Sequence, residues 1–145
     1  MSATELVADL ATRARTAART LSTATGAERK AALEAIAQAL ESRSAEILAA
    51  NEADMVNARA ENMHPQMQDR LLLTAERIKA IAAGAREVAA LPDPLGQILR
   101  KSTLPNGLEL EQISVPFGVI GMVYEARPNV TVDAAVILLL SGNAA

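Results

Sequence analysis

Val115-Pro116-Phe117-Gly118-Val119-Ile120-Gly121-Met122-Val123-Tyr124-Glu125-Ala126-Arg127-Pro128-Asn129-Val130-Thr131-Val132-Asp133-Ala134-Ala135 is the stretch that decides the fold class. Residues 119–124 form a short apolar run rich in β-branched side chains. The run lacks polar alternation, as a strand covered on both faces would. Glu125, Arg127 and Asn129 then arrive within five positions. That is where such a strand would surface, and the carboxyl ends of strands in open α/β sheets are where ligands sit. The stretch therefore predicts a buried strand, a tight polar crossing and the first turn of a helix. Here alone the chain carries chemistry rather than scaffold.

Outward from that stretch the composition narrows the classes of function. The chain has 145 residues, is 50% hydrophobic and only 1% aromatic, so its core must be aliphatic. A net charge of -3 leaves no basic footprint for nucleic acid. The absence of cysteine removes disulfides, thiolate metal sites and a thiol nucleophile from these residues. A single histidine, His64, makes a histidine-based metal site or triad implausible; it reads as a solvated loop residue before Pro65. The start of the chain lacks the charged lead and apolar centre of a signal peptide. The apolar run 134–140 is far shorter than the ~20 residues that span a bilayer. These features predict a soluble, cytoplasmic protein with no membrane partner.

Residues 1–91 are rich in alanine and hold one proline and two glycines. Leu6, Leu10, Ala14, Ala17 and Leu21 fall on one helical face. A break follows at residues 22–26, and Thr25 with Glu28 has the form of a capping box. The next helix carries Leu33, Ile36, Ala37 and Leu40. Ser42 or Ser44 is the candidate cap of a continuation with Ile47, Leu48 and Met55. Residues 62–65 form a second break, with Pro65 suited to open a short helix. Thr74 is the next candidate cap, before a face of Ile78, Ile81, Ala85 and Val88; that helix must stop before Pro92-Asp93-Pro94.

Five of the six prolines and five of the seven glycines lie after residue 91. Asn106-Gly107 between two strand-like runs predicts a hairpin, because both residues tolerate positive φ. The second run alternates Leu108 and Leu110 with Glu109 and Glu111, which suits a half-exposed ribbon. A helix from Thr131 to about Leu140 follows, closed by Ser141-Gly142-Asn143 with Gly142 as left-handed cap. A strand and its helix must return to a second parallel strand. Only Ala144 and Ala145 remain for it, so these residues are expected to be the front part of a longer protein.

Several of these segments together resemble the γ-glutamyl phosphate reductase (glutamate-5-semialdehyde dehydrogenase) family of the aldehyde dehydrogenase superfamily. The carrying residues are Pro116-Phe117-Gly118-Val119-Ile120-Gly121, the run from Tyr124 to Ala135, and Ser141-Gly142-Asn143-Ala144. Upstream, Asp69-Arg70-Leu71-Leu72-Leu73-Thr74, Glu76-Arg77-Ile78, Leu91-Pro92-Asp93-Pro94-Leu95-Gly96 and Leu104-Pro105-Asn106-Gly107-Leu108 add to it. The resemblance implies an α/β fold: N-terminal helices, a β-hairpin arm, and the first strand-helix unit of an incomplete Rossmann-like cofactor domain. It divides the chain into a helical part of the cofactor domain (1–91), a linker and hairpin resembling an oligomerisation arm (92–115), and a truncated strand-helix unit (116–145).

The same resemblance implies NADPH-dependent reduction of L-glutamyl 5-phosphate to L-glutamate 5-semialdehyde and phosphate, in proline biosynthesis. It further implies assembly with copies of the same chain and functional coupling to glutamate 5-kinase. The family's nucleophilic cysteine lies downstream of the matched region, so this chain alone is expected to be inactive. A related context is the C-terminal half of bifunctional pyrroline-5-carboxylate synthase; a first helix directly after Met1 favours a stand-alone enzyme. The competing reading is a self-contained helical interaction module.

Residue by residue, Asn129 matches the asparagine that donates its amide to the oxyanion of the thiohemiacetal, a role for a preorganised neutral donor. Its other reading is the N-cap of a helix beginning near Val130. Arg127 replaces the aromatic residue usual beside the cofactor in the superfamily. Its guanidinium could hold the leaving phosphate or the cofactor pyrophosphate; the alternative is a salt bridge to Glu125 or Asp133. Val123, Tyr124 and Glu125 match the nicotinamide side of the cleft, with plain core as the alternative for Val123. Asp133 reads as a carboxylate favouring the helix dipole. Gly118 and Gly121 read as sites of close backbone approach. They do not form a G-x-G-x-x-G fingerprint, which this superfamily does not use.

Overall fold

Among the described residues, four of the six helices open on a side chain that takes up an N–H left without a partner in the first turn. The computed structural model describes residues 2–125 and 127–145; Met1, and Ala126 within the deciding stretch, lie outside the described residues. Helix α1 (Ala3–Leu21) begins with a capping box between Ser2 and Glu5. Helix α2 (Gly26–Ser42) begins with the predicted box between Thr25 and Glu28. Helix α3 (Ser44–Ala60) follows after one residue. Neither Ser42 nor Ser44 caps it. Arg43 holds the cap position, and the main-chain ladder runs through the joint, Arg43 N–H to Ala39 O at 3.0 Å and Ile47 N–H to Arg43 O at 3.1 Å.

Helix α4 (Pro65–Leu71) opens with Pro65, as its preset φ favours. His64 is exposed but not idle: its Nδ1 accepts the Gln66 N–H at 3.3 Å and caps α4. Helix α5 (Ala75–Ala90) is capped by Thr74 and ends at Leu91, which turns extended before Pro92.

The core lies where α2, α5 and the last helix, α6 (Pro128–Leu140), meet. Leu33 and Ala37, Ala82 and Ala85, and Val136 and Leu140 are its buried members. Alanine at three of these six positions lets the helix axes approach closely. Ile36, Leu40, Val88 and Val132 pack around them. The expected face of α1 is mostly unburied: Ala14 is covered, whereas Leu6 and Leu10 remain about half exposed.

The hairpin pairs β1 (Ile98–Thr103) with β2 (Glu109–Ile113), antiparallel, from Ile98 opposite Ile113 to Thr103 opposite Glu109. Its turn differs from the expected one. Pro105 fixes its own φ near -65° and sits at the second turn position, so only Gly107 takes positive φ (+87°). Gly107 N–H closes onto Leu104 O at 2.8 Å, and Asn106 Oδ1 accepts the Leu108 N–H at 3.1 Å. The ribbon is exposed on both faces rather than one, since among the described residues no other helix or strand packs extensively on it; Leu99, Leu108, Leu110 and Ile113 all stand in the open.

The expected buried strand is also corrected. Residues 119–125 form no ladder, only a single parallel bridge between Val119 and Ala144, with Ile120 N–H to Ala144 O at 2.9 Å. Val119, Met122, Val123 and Tyr124 are exposed. A strand needs a partner along each edge and a layer on each face, and here one residue lies alongside it. The α/β class holds: the described residues form six helices, a two-stranded antiparallel sheet and the start of a parallel pairing. A Cβ on Gly118 or Gly121 would meet nothing within 4 Å, so the expected close approach is not there.

Helix α6 starts at Pro128, three residues before the expected Thr131, since Pro128 suits its first position. It ends in a Schellman motif: Gly142 (φ +74°) donates to Leu139 O at 3.0 Å and Asn143 donates to Leu138 O at 2.8 Å. Asn143, 4% exposed, then accepts the Gly118 N–H on its Oδ1 at 2.8 Å, fastening the segment before the crossing.

Two further buried polar side chains join distant parts of the chain. Arg29, on α2 and 4% exposed, donates its Nε to Leu140 O at 3.0 Å, its Nη1 to Ala24 O, and its Nη2 to both carboxylate oxygens of Asp93 at 2.7 Å. Asn51, on α3 and equally buried, donates to Leu71 O at 2.9 Å and accepts the Leu73 N–H at 2.7 Å. It grips the connection between α4 and α5 as a strand edge would.

The Leu95 N–H donated to its carboxylate holds Asp93 below the ordinary aspartate range. The Arg29 guanidinium adds to this, against partial burial that pushes the other way. A lowered folded-state pKa adds stability above the unfolded value, about 3.9, that disappears as pH falls through the folded one. Arg29→Ala is therefore expected to lower unfolding free energy by about 3 kcal/mol, measured by urea denaturation at pH 7. The stability difference between the native chain and Asp93→Asn should be largest above about pH 4 and shrink in titrations below it. Asn51→Ala should cost about 2 kcal/mol and speed amide exchange at Leu73.

Candidate active site

One open cleft, of about 360 Å³, lies between the α4–α5 corner and the start of α6. Asp69 and Arg70 from α4, Leu73 from the connection, Arg77 from α5, and Arg127 and Asn129 at the crossing line it. Its volume is within the range of small-molecule sites, roughly 300–1,000 Å³.

The α4–α5 wall is fixed by Arg77. One guanidinium nitrogen donates to the Asp69 and Leu72 carbonyls at 2.6 and 2.7 Å, and another to Asp69 Oδ1 at 2.8 Å. Asn51 holds the same connection from behind through Leu71 and Leu73. Two independent side chains thus hold one loop, so the wall does not depend on exposed contacts alone.

The α6 wall carries two of the sequence-predicted residues, Arg127 and Asn129. Asn129 is the second residue of the helix rather than its cap, because Pro128 starts the helix and Arg127 holds the cap position. The capping alternative for Asn129 therefore falls. Its amide donates one hydrogen to Asp133 Oδ2 at 3.0 Å, leaving a second donor on the same nitrogen. Asp133 lies beyond the first turn and orients Asn129, instead of meeting the helix dipole as expected.

Arg127 is exposed, and among the described residues it forms no ion pair with Glu125 or Asp133. Its carbonyl accepts the Val130 N–H at 3.0 Å. Val123, Tyr124 and Glu125 are exposed and do not line this cleft. Val123 is fully uncovered, which overturns the core alternative. The Tyr124 phenol and the Thr131 hydroxyl lie 2.6 Å apart, tying the segment before the crossing to α6. The structure thus brings Arg127 and Asn129 into one cleft and leaves Val123, Tyr124 and Glu125 on an open edge.

Sequence reasoning did not place Asp69, Arg70 and Arg77 in the site. The local signal for Asp69 and Arg70 was a charged pair set against three leucines just before the Thr74 cap; Arg77 lies beyond that cap, and both segments were among those that carry the family resemblance. The cleft collects three arginines and one aspartate, a formal +2, on a chain whose net charge is -3. Such a concentration of one sign favours anionic ligands. Among the described residues no group of three or more His, Cys, Asp or Glu could hold a metal ion. No described helix is long and apolar enough to cross a membrane.

No family model matches the chain. A gamma-glutamyl phosphate reductase from Kineococcus radiotolerans is 53% identical to it over 140 residues, covering 97% of this chain and 32% of the relative. One from Geobacillus thermodenitrificans is 53% identical over 134 residues, covering 92% of this chain and 32% of the relative. The crystal structure of the Thermotoga maritima gamma-glutamyl phosphate reductase superposes with a TM-score of 0.89 at 37% identity, over 93% of this chain and 33% of that one. The Saccharomyces cerevisiae structure of the same name gives 0.88 at 30% identity, over 99% of this chain and 36% of that one. In sequence and in fold, the chain is homologous along nearly all of its length to gamma-glutamyl phosphate reductases, and it spans about a third of the length of the relatives it matches.

Proposed function

We propose that these residues serve an oxidoreductase that reduces L-glutamyl 5-phosphate to L-glutamate 5-semialdehyde, releasing phosphate, with NADPH as reductant, in proline biosynthesis. The observation that carries this reading is the meeting of Asn129 and Arg127 in one positively charged cleft. The names of the similar proteins support the substrate, since a γ-glutamyl phosphate carries both a phosphate and a carboxylate.

Attack on the acyl phosphate places negative charge on the former carbonyl oxygen. The second amide hydrogen of Asn129, held in place by Asp133, is positioned to receive that charge. Arg127 offers a planar fork for the departing phosphate or the cofactor pyrophosphate. Val123, Tyr124 and Glu125 fit the nicotinamide end of the cofactor. Val123 presents an uncovered apolar surface, and the next residue, Tyr124, is tethered through its hydroxyl to Thr131. The cofactor, when bound, supplies a hydride. These residues hold no cysteine, so in this reading the nucleophile is not among them and the chain alone turns over no substrate.

The reading also covers the wider organisation. Residues 1–91 and 116–145 serve cofactor binding, and the ribbon within 92–115 serves assembly with copies of the same chain. Functional coupling to glutamate 5-kinase and a cytoplasmic location belong to the same reading. The competing reading, a self-contained helical interaction module, has the half-exposed face of α1 in its favour and no account of the charged cleft.

Asn129→Ala, in an active enzyme carrying these residues, should lower kcat for glutamyl phosphate by about 10²–10³ while the KM for NADPH stays unchanged. A kcat that stays near the native value would remove Asn129 from the oxyanion role.

A further inference from the structure

Of the three arginines in the cleft, Arg77 is already engaged with Asp69 and two carbonyls. Arg127 and Arg70 are not. Among the described residues neither forms an ion pair, and the Arg70 guanidinium reaches Met67 Sδ at 3.7 Å, a contact too weak to satisfy it. Arg70 is carried on α4, against a wall held by Asn51 and Arg77, and faces the same 360 Å³ as Asn129. The neighbouring Asp69 carboxylate is engaged by Arg77, and a guanidinium so placed, with no ion pair among the described residues, is complementary to a carboxylate or phosphate brought by a ligand.

We propose that Arg70 is a second anion-binding residue of the cleft, receiving the α-carboxylate of an acidic amino-acid substrate while Arg127 receives its phosphate. This deepens the reading of the site as a glutamyl phosphate reductase and rests on it for the division of labour. Arg127 is two residues from Asn129, so it serves the end of the substrate where the carbonyl and its phosphate lie. Arg70 comes from the opposite wall, on α4, and serves the far end. In a glutamyl phosphate that far end is the α-carboxylate, separated from the reacting carbonyl by the side-chain methylenes. The two cations also explain why the site can be selective: a ligand with one anionic group leaves one guanidinium unpaired.

The test has two arms. In the first, the 145-residue chain is titrated separately with L-glutamate and with inorganic phosphate, following the arginine side-chain N–H signals by NMR. Arg70→Gln should weaken L-glutamate binding by about tenfold and leave phosphate binding little changed, Arg70→Lys should recover part of the loss, and Arg127→Gln should act in the opposite sense. Arg70 is exposed, so unchanged circular dichroism is expected for its variants. Glutamate binding that is indifferent to Arg70→Gln, or a native chain that binds neither probe, overturns the proposal. In the second arm, Arg70→Gln in an active enzyme carrying these residues should raise the KM for glutamyl phosphate by about tenfold, with the KM for NADPH unchanged and kcat within about threefold. An enzyme that turns over no glutamyl phosphate removes the proposed reaction and leaves the first arm to judge Arg70. An enzyme that turns it over with an Arg70→Gln KM at the native value removes the role of Arg70 alone.

Discussion

The position of the site depends on one buried guanidinium. Arg29 projects from α2 into a place from which water is excluded, and its donors are divided among the end of α6, the turn before α2 and the segment after α5. A buried ion pair is a weak source of net stability, because desolvation offsets most of the attraction. Its effect here is positional. An apolar side chain of the same volume could fill the space but could not specify that Leu140 O, Ala24 O and Asp93 converge on one point. Because Leu140 is the last residue of α6, that convergence fixes where the helix stops. The Schellman turn and Asn143 then carry the constraint to Gly118, at the head of the segment leading to Arg127 and Asn129.

The cleft shows a division between structural and available charge. Arg77 resembles Arg29 in use: its donors are taken by carbonyls and a carboxylate of the chain, and its product is a fixed wall. Arg70 and Arg127 differ, since among the described residues neither forms an ion pair. A wall held by Asn51 and Arg77 lets those two charges be presented without the chain collapsing onto them. The same economy governs Asn129, where Asp133 takes one amide hydrogen and orients the other.

The sequence was legible wherever the deciding interaction was short. Thr25 with Glu28, Thr74 with Arg77, and Pro65 at the head of α4 each act within three residues, and each is where it was expected. The Ser42 and Ser44 caps failed because the ladder crosses the α2–α3 joint and offers a hydroxyl no special place. The hairpin was read from Asn106-Gly107, but Pro105 chose the turn geometry and left only Gly107 with positive φ. The strand from Val119 failed for the opposite reason: its apolar run asks for neighbours, and a single bridge to Ala144 is what the fold provides. At the crossing, the types of Arg127 and Asn129 marked a candidate site, while the register of α6 decided that Asn129 lies inside the helix and not at its cap.

By itself the sequence determined most of the helices, several of their caps and breaks, and the hairpin, and it singled out Arg127 and Asn129 at the crossing as candidates. These follow from dihedral preference and hydrogen bonds between near neighbours, which composition and spacing encode directly. Only the tertiary structure decided that Arg29 is buried, that Asn51 grips the α4–α5 connection, and that Arg70 shares a cleft with Arg127. Arg29 meets Leu140 across 111 positions and Asp93 across 64. No local pattern distinguishes such an arginine from a solvated one, because what buries it is the packing of α2, α5 and α6 around aliphatic side chains far apart in the chain.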